Sequence, residues 1–169
     1  MSCQLTQAVR RYEIVVTKKL NEMKIYRNEK IGFEINMPEE WSFAGGQQVS
    51  HALGKDDSLS FLCGANEAFN LQIGLCPSPT PLSETEDEFR NYAKSQGYTA
   101  LEIGRCIVKG SVHVWARYYM GNGAWTKKYM IVLGETEYSI TATCFDKEQL
   151  AEKEKTWDAI VASFHLLSK

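Results

Sequence analysis

Four strand-like segments, Tyr98 to Val108, Val112 to Met120, Trp125 to Leu133 and Glu137 to Phe145, follow one another with only Lys109-Gly110-Ser111, Gly121-Asn122-Gly123-Ala124 and Gly134-Glu135-Thr136 between them. Each is rich in β-branched and aromatic residues, and connections this short cannot carry the crossover that a parallel pair requires. The chain must therefore contain an antiparallel meander. Such a sheet has to bury at least one face, and an element with an apolar stripe must lie on it.

Two helices are predicted for that purpose. Asp146 and Gln149 form a capping signature ahead of Leu150, Trp157, Ile160, Val161 and Phe164, which share one helical face. Earlier, Ser83 with Glu86 reads as a capping box, Phe89, Tyr92 and Ala93 supply the stripe, and Gly97 supplies a left-handed stop. Upstream, Lys24 to Asn28 and Ile31 to Met37 read as strands, with Phe33, Ile35 and Met37 alternating against Glu34 and Asn36 until Pro38. Ser58 to Cys63 and Phe69 to Cys76 form a further strand pair around Gly64 and Asn66. Between these pairs, Ser42 to Asp57 carries Gly45, Gly46 and Gly54 without periodicity and is predicted to be a mobile loop. The Pro77, Pro79, Pro81 run is a stiff connector within the domain.

At 169 residues the chain suits one domain, placed at residues 24–169. Residues 1–23 are predicted to be a helical extension, since Leu5, Val9, Tyr12, Val16, Leu20 and Met23 recur at spacings of three and four. The fold class is α+β, an antiparallel sheet sandwiched between helices.

The turns imply a register, and a slip of one residue would move every side chain to the other face. Pairing Val114 with Ile131 and Ile131 with Ile140 puts Cys106, Val114, Ala116, Tyr129, Ile131, Leu133, Tyr138, Ile140 and Ala142 on one face, expected beneath the last helix. The other face then carries Leu101, Ile103, Arg105, Trp115, Arg117, Tyr119, Lys128, Met130, Thr141 and Thr143. That mixture is too apolar for bare solvent and too polar for a sealed core.

Nineteen Lys and Arg against twenty-one Asp and Glu give a net charge of -2, so no whole-molecule field draws in nucleic acid. No apolar run reaches the length of a membrane span, and no membrane insertion is expected. The N-terminus lacks the apolar region of a secretory signal, leaving Cys3 without a lipoprotein context; the expected location is the cytoplasm, or the envelope if an export leader has been removed. Five cysteines without C-x-x-C spacing read as free thiols.

The segment Gly32-Phe33-Glu34-Ile35-Asn36-Met37-Pro38-Glu39-Glu40-Trp41 resembles the G-F-x-I-x-x-P-x-x-W opening of PsbP-like domains. Lys128-Tyr129 with Ile131, Tyr138-Ser139-Ile140-Thr141, and Trp157 through Ile160-Val161-Ala162-Ser163-Phe164 look like the last strands and terminal helix of the same group, so the resemblance spans Lys24 to Leu166. It joins photosystem PsbP, the yeast Ran-binding protein Mog and bacterial DcrB-like proteins. It implies an antiparallel sheet with helices on both faces and, for function, mostly non-catalytic roles.

Trp115, Arg117, Tyr119 and Lys128 are the candidate partner-binding residues, because aromatic and cationic side chains together are typical of recognition hot spots. The competing account is packing of Arg105 or Arg117 on Trp115 beneath the helix starting at Ser83. Cys106 and His113 are expected on opposite faces and so do not form a dyad, and Cys63 and Cys76 lack a flanking histidine. Neither a catalytic residue, a cofactor, nor a metal site from His51, His113, His165 and the thiols is expected. Glu84, Glu86, Asp87 and Glu88 suit a helix N-terminus, the charges from Lys147 to Lys155 suit a solvated helix face, and Gly121-Asn122-Gly123 is a turn, not a phosphate loop. Trp41 is expected to plug the core edge. The reading is a non-catalytic protein-binding or assembly module; the alternative is a small hydrolase or thiol-dependent enzyme.

Overall fold

In the computed structural model, which describes residues 22–51, 54–75, 78 and 80–168, Asn28 starts the first reversal. Its carbonyl accepts from Gly32 N–H at 2.8 Å and its side-chain oxygen accepts from Ile31 N–H at 3.0 Å, joining β1 (Met23–Asn28) to β2 (Phe33–Pro38). Phe33, Ile35 and Met37 of β2 are buried, as their alternation predicts. A short β10 (His165–Leu166) pairs with the other edge of β2, closing a three-stranded sheet of order β1-β2-β10. The helical extension predicted for residues 1–23 lies outside the described residues except for its last two positions, of which Met23 opens β1.

The larger sheet has seven strands in the order β3-β4-β5-β9-β8-β7-β6: β3 (Ser42–His51), β4 (Gly54–Leu62), β5 (Glu67–Leu75), β6 (Thr99–Val108), β7 (Ser111–Gly121), β8 (Ala124–Leu133) and β9 (Thr136–Cys144). The expected Ser42 to Asp57 loop is therefore a hairpin. Its glycines serve packing and a bulge: the β3–β4 register shifts between Phe43 and Gly45, and a Cβ on Gly46 would lie 2.9 Å from the Leu59 side chain. The segment expected to be mobile is paired strand, and at Gly46 the missing side chain is what admits Leu59.

Helix α1 (Leu82–Gln96) starts directly after Pro81 with no side-chain cap, so Ser83 sits inside the first turn and the expected capping box is not made. The other end follows expectation, with Gly97 at φ 69° donating to Ala93 and Lys94 carbonyls. Helix α2 (Leu150–Ala162) also lacks a side-chain cap. Asp146 instead accepts from Glu148 N–H at 2.9 Å, organising the turn before the helix.

The two helices lie on opposite faces of the large sheet. Leu59, Phe61, Phe69, Leu71, Ile73, Tyr129, Ile131, Tyr138 and Ile140 form one buried cluster with Phe33, Ile35 and Met37 of the small sheet and Trp157, Ile160, Val161 and Phe164 at α2. Trp41 belongs to this cluster, its ring 5.1 Å from that of Phe69. On the reverse face Val114, Ala116 and Tyr118 pack with Phe89 of α1, flanked by Leu82, Tyr98, Leu101, Ile103 and Met130.

The predicted register of β7 is corrected by one residue. At the turn, Gly121 faces Ala124 across Asn122 and Gly123, both at positive φ, but the register shifts between Tyr119 and Gly121, so that Val114 faces Met130, not Ile131. Val114 and Ala116 are consequently buried against α1, while Trp115, Arg117 and Tyr119 turn toward α2. The β8–β9 pairing differs by two, with Tyr129 opposite Ile140, because Leu133 and Thr136 close the turn. A shift of two preserves the face, and Ile131 and Ile140 lie in the α2 core as expected.

Candidate functional site

The four residues proposed from sequence do not make one surface. Trp115 lies directly across from Gly104, where a Cβ would come within 2.3 Å of the indole Cζ2, so the absence of a side chain is what admits the ring. Tyr119 faces Trp125 with ring centroids 5.1 Å apart, and its phenol oxygen accepts from Gly123 N–H at 3.0 Å. Arg117 sits between Glu102 of β6, which it bonds at close range, and Glu154 of α2 at 2.9 Å. Lys128, one residue out of phase with them, occupies the opposite face beside Thr85, Glu88, Phe89, Tyr92 and Met130.

The cation over Trp115 is Lys127. Its ammonium stands 4.1 Å from the ring centroid, is 2.8 Å from Asp158 Oδ1, and belongs to a residue only 4% exposed. Tyr129 also donates to Asp158 Oδ1, at 2.5 Å. Burial, and then this hydrogen bond to the carboxylate, push the Tyr129 phenol far above its ordinary range. A cation–π stack at Trp115 was anticipated, with a different cation and beneath α2 instead of α1. The arrangement pins a helix to a sheet, and its aromatic and cationic groups are engaged with one another.

The α1 face is built differently. Val112, Val114, Met130 and Val132 floor a groove of about 410 Å³, with Thr80, Leu82, Thr85 and Glu88 along the helix side and Gly134 and Glu137 at the far end. Beside it Ile107, directly opposite Val112, is 66% exposed, and Val112 itself is 45% exposed. The cause lies in α1: Phe89 and Ala93 are its buried residues, so its first two turns do not seal the sheet beneath them.

No protein-family model matches the chain, and no curated protein matches it. Among solved structures it is similar to cyanobacterial PsbP (CyanoP) from Synechocystis sp. PCC 6803, at 17% identity and a TM-score of 0.62, covering 86% of this chain and 92% of that one. It is also similar to the Ran-binding protein Mog1p of Saccharomyces cerevisiae, at 11% identity and a TM-score of 0.56, covering 86% of this chain and 96% of that one. The fold is PsbP-like. At such identities the likeness concerns the arrangement of the chain and not its chemistry.

Within this PsbP-like frame two thiols, Cys63 and Cys106, are held in surroundings that favour the protonated form. Burial, reinforced by Glu67, pushes the Cys63 thiol up to about 12. The observed register places Cys106 directly opposite His113, hence on the same side, which corrects the expectation that they point apart. Burial nonetheless raises the Cys106 thiol and lowers the His113 imidazole, the reverse of what a thiolate–imidazolium pair needs. The His113 Nδ1 accepts from Val132 N–H at 3.3 Å. Among the described residues no three His, Cys, Asp or Glu side chains converge as metal ligands, and no helix is long and apolar enough to cross a membrane.

Glu67 was missed by sequence reasoning. Its side chain is 1% exposed, paired with Lys153 at 2.6 Å and accepting from the Trp157 indole at 2.7 Å. A lone acid at a strand start gives no sign of such burial. The groove did leave a sign in the sequence: Ile107 and Val112 flank a tight hairpin on the same side, while between Leu82 and Phe89 helix α1 carries no apolar residue.

Proposed function

We propose that this PsbP-like chain is a non-catalytic protein-binding or assembly module, with the α1 groove as its contact surface. The observation that carries the reading is an apolar floor, Val112, Val114, Met130 and Val132, opening onto the exposed Ile107 and Val112 pair. Exposed apolar surface continuous with a groove is the usual mark of an interaction site. The Ran-binding relative in fold, Mog1p, supports the class of activity. The raised thiols of Cys63 and Cys106 favour it over a thiol-dependent enzyme. We place its work in the cytoplasm, a compartment that keeps Cys63, Cys106 and Cys144 reduced.

The test pairs capture with stability. Parent protein and an Ile107→Ser/Val112→Ser variant are cross-linked in native-host lysate, and the same captured proteins are quantified on both. Loss of a specific partner from the variant, with an unchanged melting curve, is the expected result. Equal recovery of every partner would remove the groove from the account.

A further inference from the structure

Resting on that groove reading, we infer that the occupant is a short segment of another protein that presents aliphatic side chains flanked by Lys or Arg. The groove lining contains Glu88 and Glu137 but no cation. Glu84 stands one helical turn before Glu88 on the same side of α1, and Glu135 adjoins the lining residue Gly134. The cations near this rim are already committed: Arg90 pairs with Asp87 and Glu86, and Arg105 with Glu86. Lys128 stands beside Glu88 and within the field of Glu137, one cation set against the four carboxylates of Glu84, Glu88, Glu135 and Glu137. Among the described residues no cation pairs with Glu84, Glu88 or Glu135, all of which are exposed.

An apolar floor inside an acidic rim selects by both properties at once. Aliphatic side chains gain burial on Val112, Val114, Met130 and Val132, and flanking cations gain the field of the free carboxylates. Polyanions, and acidic peptides of the same apolar content, are repelled by the rim.

Fluorescence anisotropy on the full chain tests this with a labelled hexapeptide, Lys-Leu-Lys-Val-Leu-Lys, and counterparts in which every Lys becomes Gln or Glu. The lysine peptide should bind saturably and about tenfold more tightly than the glutamate peptide, with the difference shrinking as salt rises. Glu84→Gln/Glu88→Gln should weaken the lysine peptide several-fold and leave the melting curve in place, while Val112→Ser should weaken the lysine and glutamine peptides together. Equal binding of all three peptides, or an unchanged affinity in the double Gln variant, would overturn the charge assignment and leave the groove. Saturable binding of none would overturn both. A peptide of residues 1–20, itself basic through Arg10, Arg11, Lys18 and Lys19, serves as a competitor. If it binds more tightly than the lysine peptide and displaces it, the occupant belongs to this chain and the partner assignment falls.

Discussion

Strands β7 and β8 present two different environments from one stretch of sequence. Odd-numbered residues Trp115, Arg117, Lys127 and Tyr129 enter a layer closed by α2, where each charge has a partner. Their even-numbered neighbours Val112, Val114, Met130 and Val132 meet α1, which leaves part of them open as a groove. Of the four residues that look most like a recognition patch in sequence, Trp115, Arg117 and Tyr119 are thus turned into the layer under α2 and only Lys128 stands on the α1 side, where part of the plainer aliphatic set stays open. Buried charges require partners, whereas uncovered aliphatic surface requires none within the chain and can be supplied with one from outside.

The largest effect that probes this contrast belongs to the sealed side. Phe164 is fully buried, stacked on Phe33 at 5.2 Å and against Tyr138 at 4.7 Å. Phe164→Ala should cost about 3–5 kcal/mol in urea unfolding. A loss near that of a surface substitution would show that the α2 face is not the sealed one.

Next comes Gly104→Ala, which sharpens the assignment of Trp115. The added methyl would meet the indole at 2.3 Å, so a stability loss of about 1–3 kcal/mol is expected, together with a shifted tryptophan emission. A neutral result would mean that the ring is free to swing outward, as a recognition residue would be.

A smaller contribution should appear in pH dependence. Burial lowers the His113 pKa in the folded state, so the unfolded chain binds the proton first as pH falls. Its stabilisation is present above the ordinary imidazole value of 6.5 and is lost as pH falls through the lowered one. Stability of the parent should decline below pH 6.5 more steeply than that of His113→Gln, a comparison read by urea melts across the range. Parallel curves would place His113 in water.

The smallest expected change is on the open side. Ile107→Ser/Val112→Ser should alter stability by no more than about 1 kcal/mol, because Ile107 lies largely, and Val112 nearly half, in solvent. A substantial loss would mean that these residues are core after all and that the two sides of the strands are alike.

Much of the architecture was legible because periodicity and turn chemistry are local. Apart from the β3–β4 hairpin and the short β10, the strand and helix positions from Lys24 onward, the alternation in β2, the Gly97 stop and the apolar face of α2 all follow from residues within one element. The Gly32 to Trp41 segment and the closing strands pointed to the PsbP-like arrangement, which the structural likeness bears out. Gly45 and Gly46 misled because a glycine that admits a bulge or a close Leu59 looks the same, in one sequence, as a glycine that permits motion. The site was less legible still, since Trp115 and Lys128 sit on opposite faces for a reason that neither residue carries.

By itself the sequence determined that this chain is antiparallel α+β, that the four strands from Tyr98 to Phe145 pair in succession, and which face of α2 is apolar, since these depend on neighbours a few positions apart; the β5–β9 and β2–β10 pairings join distant segments and came only with the assembled fold. Tertiary structure alone decided which side of β7 each helix covers. The Gly121–Ala124 turn is compatible with the expected pairing, and a single bulged residue beside it, at Met120, reverses the facing of everything upstream. A bulge costs little locally and is selected by the packing of whole faces, Val114 and Ala116 against Phe89 and Trp115 against Gly104 and Lys127. Its presence is a property of the assembled sheet and helices.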